Sequence, residues 1–225
     1  MGKSDLNRKI KRIDAVLQKI YGDKVQSNFR DPTEELILTV LSQNTNDINR
    51  DRAFNSLTSR FGNWEKVATA RSSEIARAIS VGGLANIKSK RIKKILNQIG
   101  KKSKDYKLSF LSKMSDIEAW EYLRSFEGVG PKTASCVMIF SLGRDFMPVD
   151  THVHRVSIRL GLIPYNMSAE DAHDWYRDLE PPVNLYRLHL NLIEHGRTLC
   201  RPTNPKCGAC GLKRQCLYFR EKRDD

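Results

Sequence analysis

No apolar run in the chain is long enough to cross a bilayer. Met1-Gly2-Lys3-Ser4-Asp5 leads into no signal-peptide hydrophobic region either. A soluble, intracellular protein is expected. Met1-Gly2 could begin a myristoylation signal, but Asp5 and the charged residues after it do not continue one. Aromatic residues make up only 8%, and no long basic amphipathic stretch carries an aromatic edge, so a membrane surface is a poor partner. Acidic residues are also short: 26 Asp and Glu stand against 39 Lys and Arg, for a net charge of +13. That imbalance points to a polyanionic partner, most simply nucleic acid, and it supplies affinity rather than function. Cysteine is absent before Cys136, which reads as a small buried residue. The other four cysteines crowd the last 26 residues, a pattern of a metal site rather than of scattered thiols.

What is present reads as helix after helix, without repeats or low-complexity segments. Leu6, Ile10, Ile13, Leu17 and Ile20 recur at three- and four-residue steps and predict an amphipathic helix over 5–21, ended by Gly22. Asp31-Pro32-Thr33-Glu34 opens a second helix with Asp31 as N-cap. It runs apolar to Leu41 and into the polar stretch Ser42-Gln43-Asn44-Thr45-Asn46-Asp47, before a helix over 48–61. Short helical pieces follow over 63–70 and 72–79, the second capped from Ser72-Ser73-Glu74. Gly82-Gly83-Leu84 then breaks the chain ahead of a basic helix over 87–99. Its Lys88, Lys90, Arg91, Lys93 and Lys94 are more cations than solubility needs. Later helical runs span 151–160, 169–179 and 184–197, punctuated by Pro164 and Pro181-Pro182.

The chemistry concentrates in Phe126-Glu127-Gly128-Val129-Gly130-Pro131-Lys132-Thr133-Ala134. A helix over 116–125, with Ile117, Trp120 and Leu123 on one face, must turn at the two glycines. Pro131 suits the first position of a new helix. The result is a helix–hairpin–helix whose glycine turn leaves backbone N–H groups free, a natural phosphate seat. Lys132 falls in the first turn, where the helix dipole disfavours an ammonium and so favours a nucleophilic amine. It could equally be one more phosphate-contacting lysine. Asp150, after Phe146-Met147-Pro148-Val149, directly precedes a helix. It fits an N-cap, and a capping Asp can still point a carboxylate into a cleft.

The last cysteines follow the spacing Cys200-x6-Cys207-x2-Cys210-x5-Cys216. Four thiolates in a compact loop could hold a structural zinc, although zinc usually takes two close pairs and only one is present. They also suit a cubane iron–sulfur cluster. Two disulfides are disfavoured by the intracellular reading.

Gly128-Val129-Gly130-Pro131-Lys132-Thr133-Ala134, with Val149-Asp150-Thr151-His152-Val153-His154-Arg155-Val156, resembles the endonuclease III branch of the helix–hairpin–helix DNA glycosylases. Glu194-His195-Gly196-Arg197 and the cysteine spacing carry the same resemblance. The likeness implies an all-α fold in two helical domains with DNA in the cleft between them. One is a six-helix barrel over 25–144, and the other joins 1–24 to 145–225 and holds the cysteines. It implies that Lys132 is the nucleophile and Asp150 its partner. It further implies a [4Fe-4S] cluster on Cys200, Cys207, Cys210 and Cys216, with a structural and DNA-orienting role. Gly128, Val129, Gly130, Thr133 and His152 would contact DNA, with Arg201 and Lys206 on phosphates. Leu84 would insert beside the extruded nucleotide. Either Gln43 or Asn44 would fill the gap left by the flipped base, since Asn44 stands where the bacterial enzyme has glutamine.

The implied activity is that of a monomeric bifunctional glycosylase and abasic-site lyase acting on oxidised or ring-saturated pyrimidines in duplex DNA. Branches acting on T or U opposite G, or on A opposite oxidised G, tend to have tyrosine or serine at the lysine position. The adenine branch also adds a C-terminal domain, whereas this chain stops soon after Cys216. The plant demethylase branch keeps the lysine and a Gln-Asn pair, but has Asn where this chain has His152. A non-catalytic DNA-binding module is the rival from another class.

Overall fold

A computed structural model describes residues 2–224, with side chains to Glu221; these residues form helices and no strands. No helix among them is long and apolar enough to cross a membrane. The chain divides into two compact units, Met1–Ser27 with Asp145–Asp225, and Asn28–Arg144.

The Asn28–Arg144 unit is built around two helices that are apolar on nearly every side. Helix α2 (Pro32–Ser42) buries Leu36, Ile37, Leu38, Val40 and Leu41. Asp31 caps it, accepting from the N–H groups of Thr33 (2.9 Å) and Glu34 (3.3 Å). Helix α3 (Asp47–Phe61) starts at Asn46, whose side chain accepts from Asn49 N–H. Then come α4 (Trp64–Thr69) and α5 (Ser72–Ala78). The expected serine cap of α5 is replaced by Glu74, which reaches back to Arg71 N–H at 2.9 Å. A 3-10 turn at Ser80–Gly82 leads to α6 (Ala85–Lys102), longer at both ends than the basic run predicts. Helix α7 (Asp116–Arg124) has a reciprocal cap between Ser115 and Glu118. Its buried face begins at Ala119, so Ile117, read as part of that face, is 66% exposed. Helix α8 (Pro131–Phe140) buries Thr133 through Ile139 and packs on α2 and α7.

In the other unit α1 (Lys3–Tyr21) begins two residues earlier than its periodicity suggests and buries Leu6, Ile10, Ile13 and Leu17. Ile20, assigned to the same stripe, is 43% exposed and lies against the bare backbone of Gly211. Helices α9 (Thr151–Leu160), α10 (Asp171–Leu179), α11 (Leu185–Thr198) and α12 (Leu217–Asp224) complete the unit. Buried Asp14 of α1 is gripped by Arg187 of α11, which also reaches Asp23 at 3.1 Å. Tyr176 of α10 is fully buried and shares a 2.7 Å hydrogen bond with Ser157 of α9; burial pushes its hydroxyl up to about 12.

Candidate nucleic-acid interface

The hairpin forms as the glycines require, with one difference. Gly128 has φ +78°, open only to a residue without a Cβ at low cost, and a Cβ there would meet Arg91 Nε at 2.0 Å. Val129 N–H is not free: it bonds Phe126 O at 3.0 Å and closes the turn. Val129 and Thr133 side chains are buried, at 5% and 4% exposure, so any contact they make with a ligand is through the backbone. Gly130 is exposed, caps α8 without a side-chain bond, and has nothing within 4 Å of a built Cβ. The first turn of α8 therefore presents N–H groups past an open glycine, an arrangement suited to an anion. Lys132 is half-buried at the second position of α8, and no ion pair engages it among the described residues.

Two loops of the same unit carry the other residues singled out from the sequence. Gln43 is tied down: its amide oxygen accepts from Arg91 Nη1, and its Nε2 lies 3.5 Å from Gly128 O. Asn44 is exposed and holds φ +52°. Leu84 is 48% exposed at φ +50°, a left-handed conformation that costs a residue with a Cβ about 1–2 kcal/mol. Lys88 explains how that strain is held. Its Nζ donates to Leu41 O (2.7 Å) and Gly82 O (2.8 Å), tying the end of α2 to the loop that presents Leu84. It is 1% exposed, which removes it from the group of cations that a sequence reading offers to DNA. Burial pushes its ammonium down.

In the other unit the buried stretch Phe146-Met147-Pro148-Val149 delivers Asp150 to the start of α9. Asp150 Oδ1 accepts from His152 N–H (2.9 Å) and Val153 N–H (2.7 Å), so the capping role is real. No hydrogen bond among the described residues engages Oδ2. Val149 N–H donates to His173 Nε2 at 3.0 Å, which fixes the approach to Asp150 from α10. His152 is half-buried, with Nδ1 accepting from Arg155 at 3.2 Å.

Arg155 and Arg159, unassigned from the sequence, organise the cysteine loop. Arg155 donates to Gly196 O (2.9 Å) and Cys200 O (3.1 Å); burial pushes its guanidinium down. Arg159 donates to Arg201 O (2.7 Å) and Pro202 O (3.0 Å), and its Nη1 lies 3.4 Å from Cys200 Sγ. The available signal was their four-residue spacing, which puts both on one face of α9 ahead of the cysteines. Arg201 and Lys206 are exposed on that loop.

All four cysteines are free and line one cavity, together with Arg159, Lys206 and Lys213. Burial, with the neighbouring thiols adding to it, pushes Cys210 and Cys216 up. His195 is buried, and loss of solvent lowers its imidazole to about 4. Its Nδ1 meets Tyr21 OH at 2.9 Å and its Nε2 lies 3.6 Å from Cys210 Sγ. Among the described residues no group of three or more His, Cys, Asp or Glu is gathered closely enough to hold a single metal ion. The thiols surround a cavity lined with cations, and the donor set fits a thiolate-bound cluster of net negative charge.

The class defined by these features is a helix–hairpin–helix protein with a cysteine-lined loop. Residues 37–180 match the family model of the HhH-GPD superfamily base excision DNA repair proteins. Endonuclease III of Thermotoga maritima is 31% identical over 85% of this chain and 85% of its own length. An Arabidopsis thaliana protein named as a candidate DNA glycosylase is 38% identical over 72% of this chain; the match spans 55% of that relative's length. A solved structure of a non-covalent endonuclease III–DNA complex superposes with a TM-score of 0.80 at 24% identity, covering 97% of this chain and 99% of that one. The chain belongs to the HhH-GPD superfamily of base excision DNA repair proteins, and within it to the endonuclease III family of DNA glycosylases.

Proposed function

We propose that this chain is a bifunctional glycosylase and abasic-site lyase that removes oxidised or ring-saturated pyrimidines from duplex DNA. The observation that carries it is Lys132: a half-buried lysine, engaged by no ion pair among the described residues, in the first turn of a helix whose N-terminal N–H groups are open to a phosphate. A lysine serving only to neutralise phosphate has no need of partial burial.

In this reading the damaged base is turned out of the duplex at a cost of a few kcal/mol, about what unstacking and unpairing require. Exposed Leu84 fills the stack beside it. Asn44 fills the vacated position, because Gln43 is held by Arg91 whereas Asn44 is exposed. The Lys132 nitrogen attacks C1′ while the glycosidic C1′–N bond breaks, and the base leaves with the proton that the nitrogen gives up. Asp150 stabilises the developing positive charge through Oδ2, its Oδ1 being occupied by the cap. The amine then forms an imine with the ring-opened sugar; loss of the 2′ proton expels the 3′ phosphate by β-elimination. The N–H groups of the Gly128–Gly130 turn, His152, Arg201 and Lys206 hold the backbone.

Cys200, Cys207, Cys210 and Cys216 hold a [4Fe-4S] cluster, which supplies a rigid, charged anchor for the 201–206 loop. The protein acts as a monomer inside the cell.

Borohydride trapping on a duplex with one abasic site, wild type beside Lys132→Gln, tests the lyase step. A covalent adduct with wild type alone is expected. No adduct from folded, DNA-binding wild type would reduce the chain to a monofunctional glycosylase or a binding module. A panel of thymine glycol, mismatched T and U, and modified cytosine then ranks the bases.

A further inference from the structure

Away from the hairpin, a groove of about 690 Å³ runs along the unit formed by Met1–Ser27 and Asp145–Asp225. Arg8, Lys9 and Arg12 line it from one face of α1, and Arg214 and Arg220 line it from the segment around Cys216. The one carboxylate in the lining is Asp5, which pairs with Arg8. Arg12, Arg214 and Arg220 are exposed, and no ion pair engages their side chains among the described residues.

Two further observations separate this groove from an ordinary solvated helix face. First, five cations from segments some two hundred residues apart in sequence converge around a single carboxylate, Asp5, which costs electrostatic energy in the free protein. Burial and the Arg220 guanidinium both push Lys9 down, as expected where like charges are brought together. Second, Gln215 lines the same groove with its amide oxygen buried and without a hydrogen-bond partner. Its amide also carries two N–H donors, from which a phosphate oxygen in the groove would accept.

We propose that this groove is a second seat for the phosphodiester backbone of DNA, made of residues distinct from the hairpin and from the 201–206 loop. The inference rests on the DNA reading above and deepens it: the protein would hold duplex beyond the damaged nucleotide, independently of any lesion. A run of guanidinium groups without base-reading partners suits backbone contact, which is blind to sequence.

The test is the salt dependence of binding to an undamaged duplex, read by fluorescence anisotropy with the cluster-loaded full chain. Wild type is compared with the triple variant Arg12→Ala, Arg214→Ala, Arg220→Ala and with its Arg→Lys counterpart. Each phosphate that a variant no longer neutralises lowers the slope of log K against log salt by about 0.9, so the alanine triple should fall by about 2–3 and the lysine triple by far less. An unchanged slope in the alanine triple overturns the proposal, as does an equal fall in the lysine triple. If the alanine triple does not fold, Arg12→Ala alone should lower the slope by about 0.9, and no change there overturns it too. Wild type that binds no duplex at any salt sinks the DNA reading itself. Wild type that binds with a slope indifferent to these arginines sinks the groove alone.

Discussion

Lys88 offers the sharpest check on how the interface is held. It is 1% exposed and its ammonium donates to Leu41 O at 2.7 Å and Gly82 O at 2.8 Å. Leu41 lies in the last turn of α2, where carbonyls are unpaired and the helix dipole favours a cation. Replacing Lys88 with Met keeps the length of the side chain and removes both donors. Each buried carbonyl left without a partner costs about 1–3 kcal/mol. Relief from burying the ammonium returns part of that, so a net destabilisation of about 2–4 kcal/mol is expected. For a chain of this size about 2–4 °C follows each kcal/mol, so thermal unfolding should drop by about 5–15 °C. Hydrogen exchange at 82–84 should rise more than the global destabilisation explains, because Leu84 no longer has a reason to stay left-handed. The pH dependence has a sign. Burial lowers the folded ammonium below its usual 10.5, so between the two values the unfolded chain binds more protons. The wild-type advantage over Lys88→Met should therefore widen as pH rises through that window. A melting point within about 2 °C of wild type, with unaltered exchange in the loop, would refute the reasoning.

Two other perturbations follow from the same geometry. Asp150→Asn keeps an N-cap of equal quality, so the melting point should barely move, while base excision falls by about 100-fold or more if the carboxylate acts on developing charge; equal loss of both would make the cap its whole role. His173 accepts from Val149 N–H through Nε2, and burial pushes its imidazole below 6.5. Between that lowered value and 6.5 the unfolded chain binds the extra proton, so stability is lost as pH falls through the window. His173→Gln can still accept the bond but cannot titrate, and its melting curve should be flatter over that range; identical pH profiles would remove His173 from the account.

Features decided within a few residues were legible in the sequence. Asp31 and Asp150 each cap the helix that follows, because a short oxygen-bearing side chain beside a helical pattern meets its N–H groups without help from elsewhere; Asn184, read as the first residue of its helix, is instead the cap. Gly128 turned the chain for an equally local reason. Periodicity was less complete. It placed Ile20 and Ile117 on apolar faces, but a face says nothing of how far its partner extends, and both ends of those faces meet solvent. The tethers of Arg155 and Arg159 were invisible because their acceptors are backbone carbonyls some forty residues away, and any sequence has a carbonyl at every position.

The basic helix α6 shows what a charge count hides. Of its five central cations, Lys88 ties the end of α2 to the loop before α6, Arg91 holds Gln43 over the hairpin, Lys93 donates to Ala70 O, and Lys94 pairs with Glu127 at 2.6 Å. A helix that reads as surplus positive charge is in large part a set of ties fixing four other segments of its unit. Those ties act on the loops that present Gln43, Leu84 and the hairpin, so the cations shape an interface more than they supply its charge. Arg12, Arg214 and Arg220 are the reverse case. Nothing in the local sequence sets them apart, yet the fold gathers them in one groove whose single carboxylate, Asp5, pairs with Arg8 instead. The net charge of +13 is therefore a poor map of where a polyanion would sit. What matters is which cations folding leaves unspent, and that is decided by long-range contacts that composition does not record.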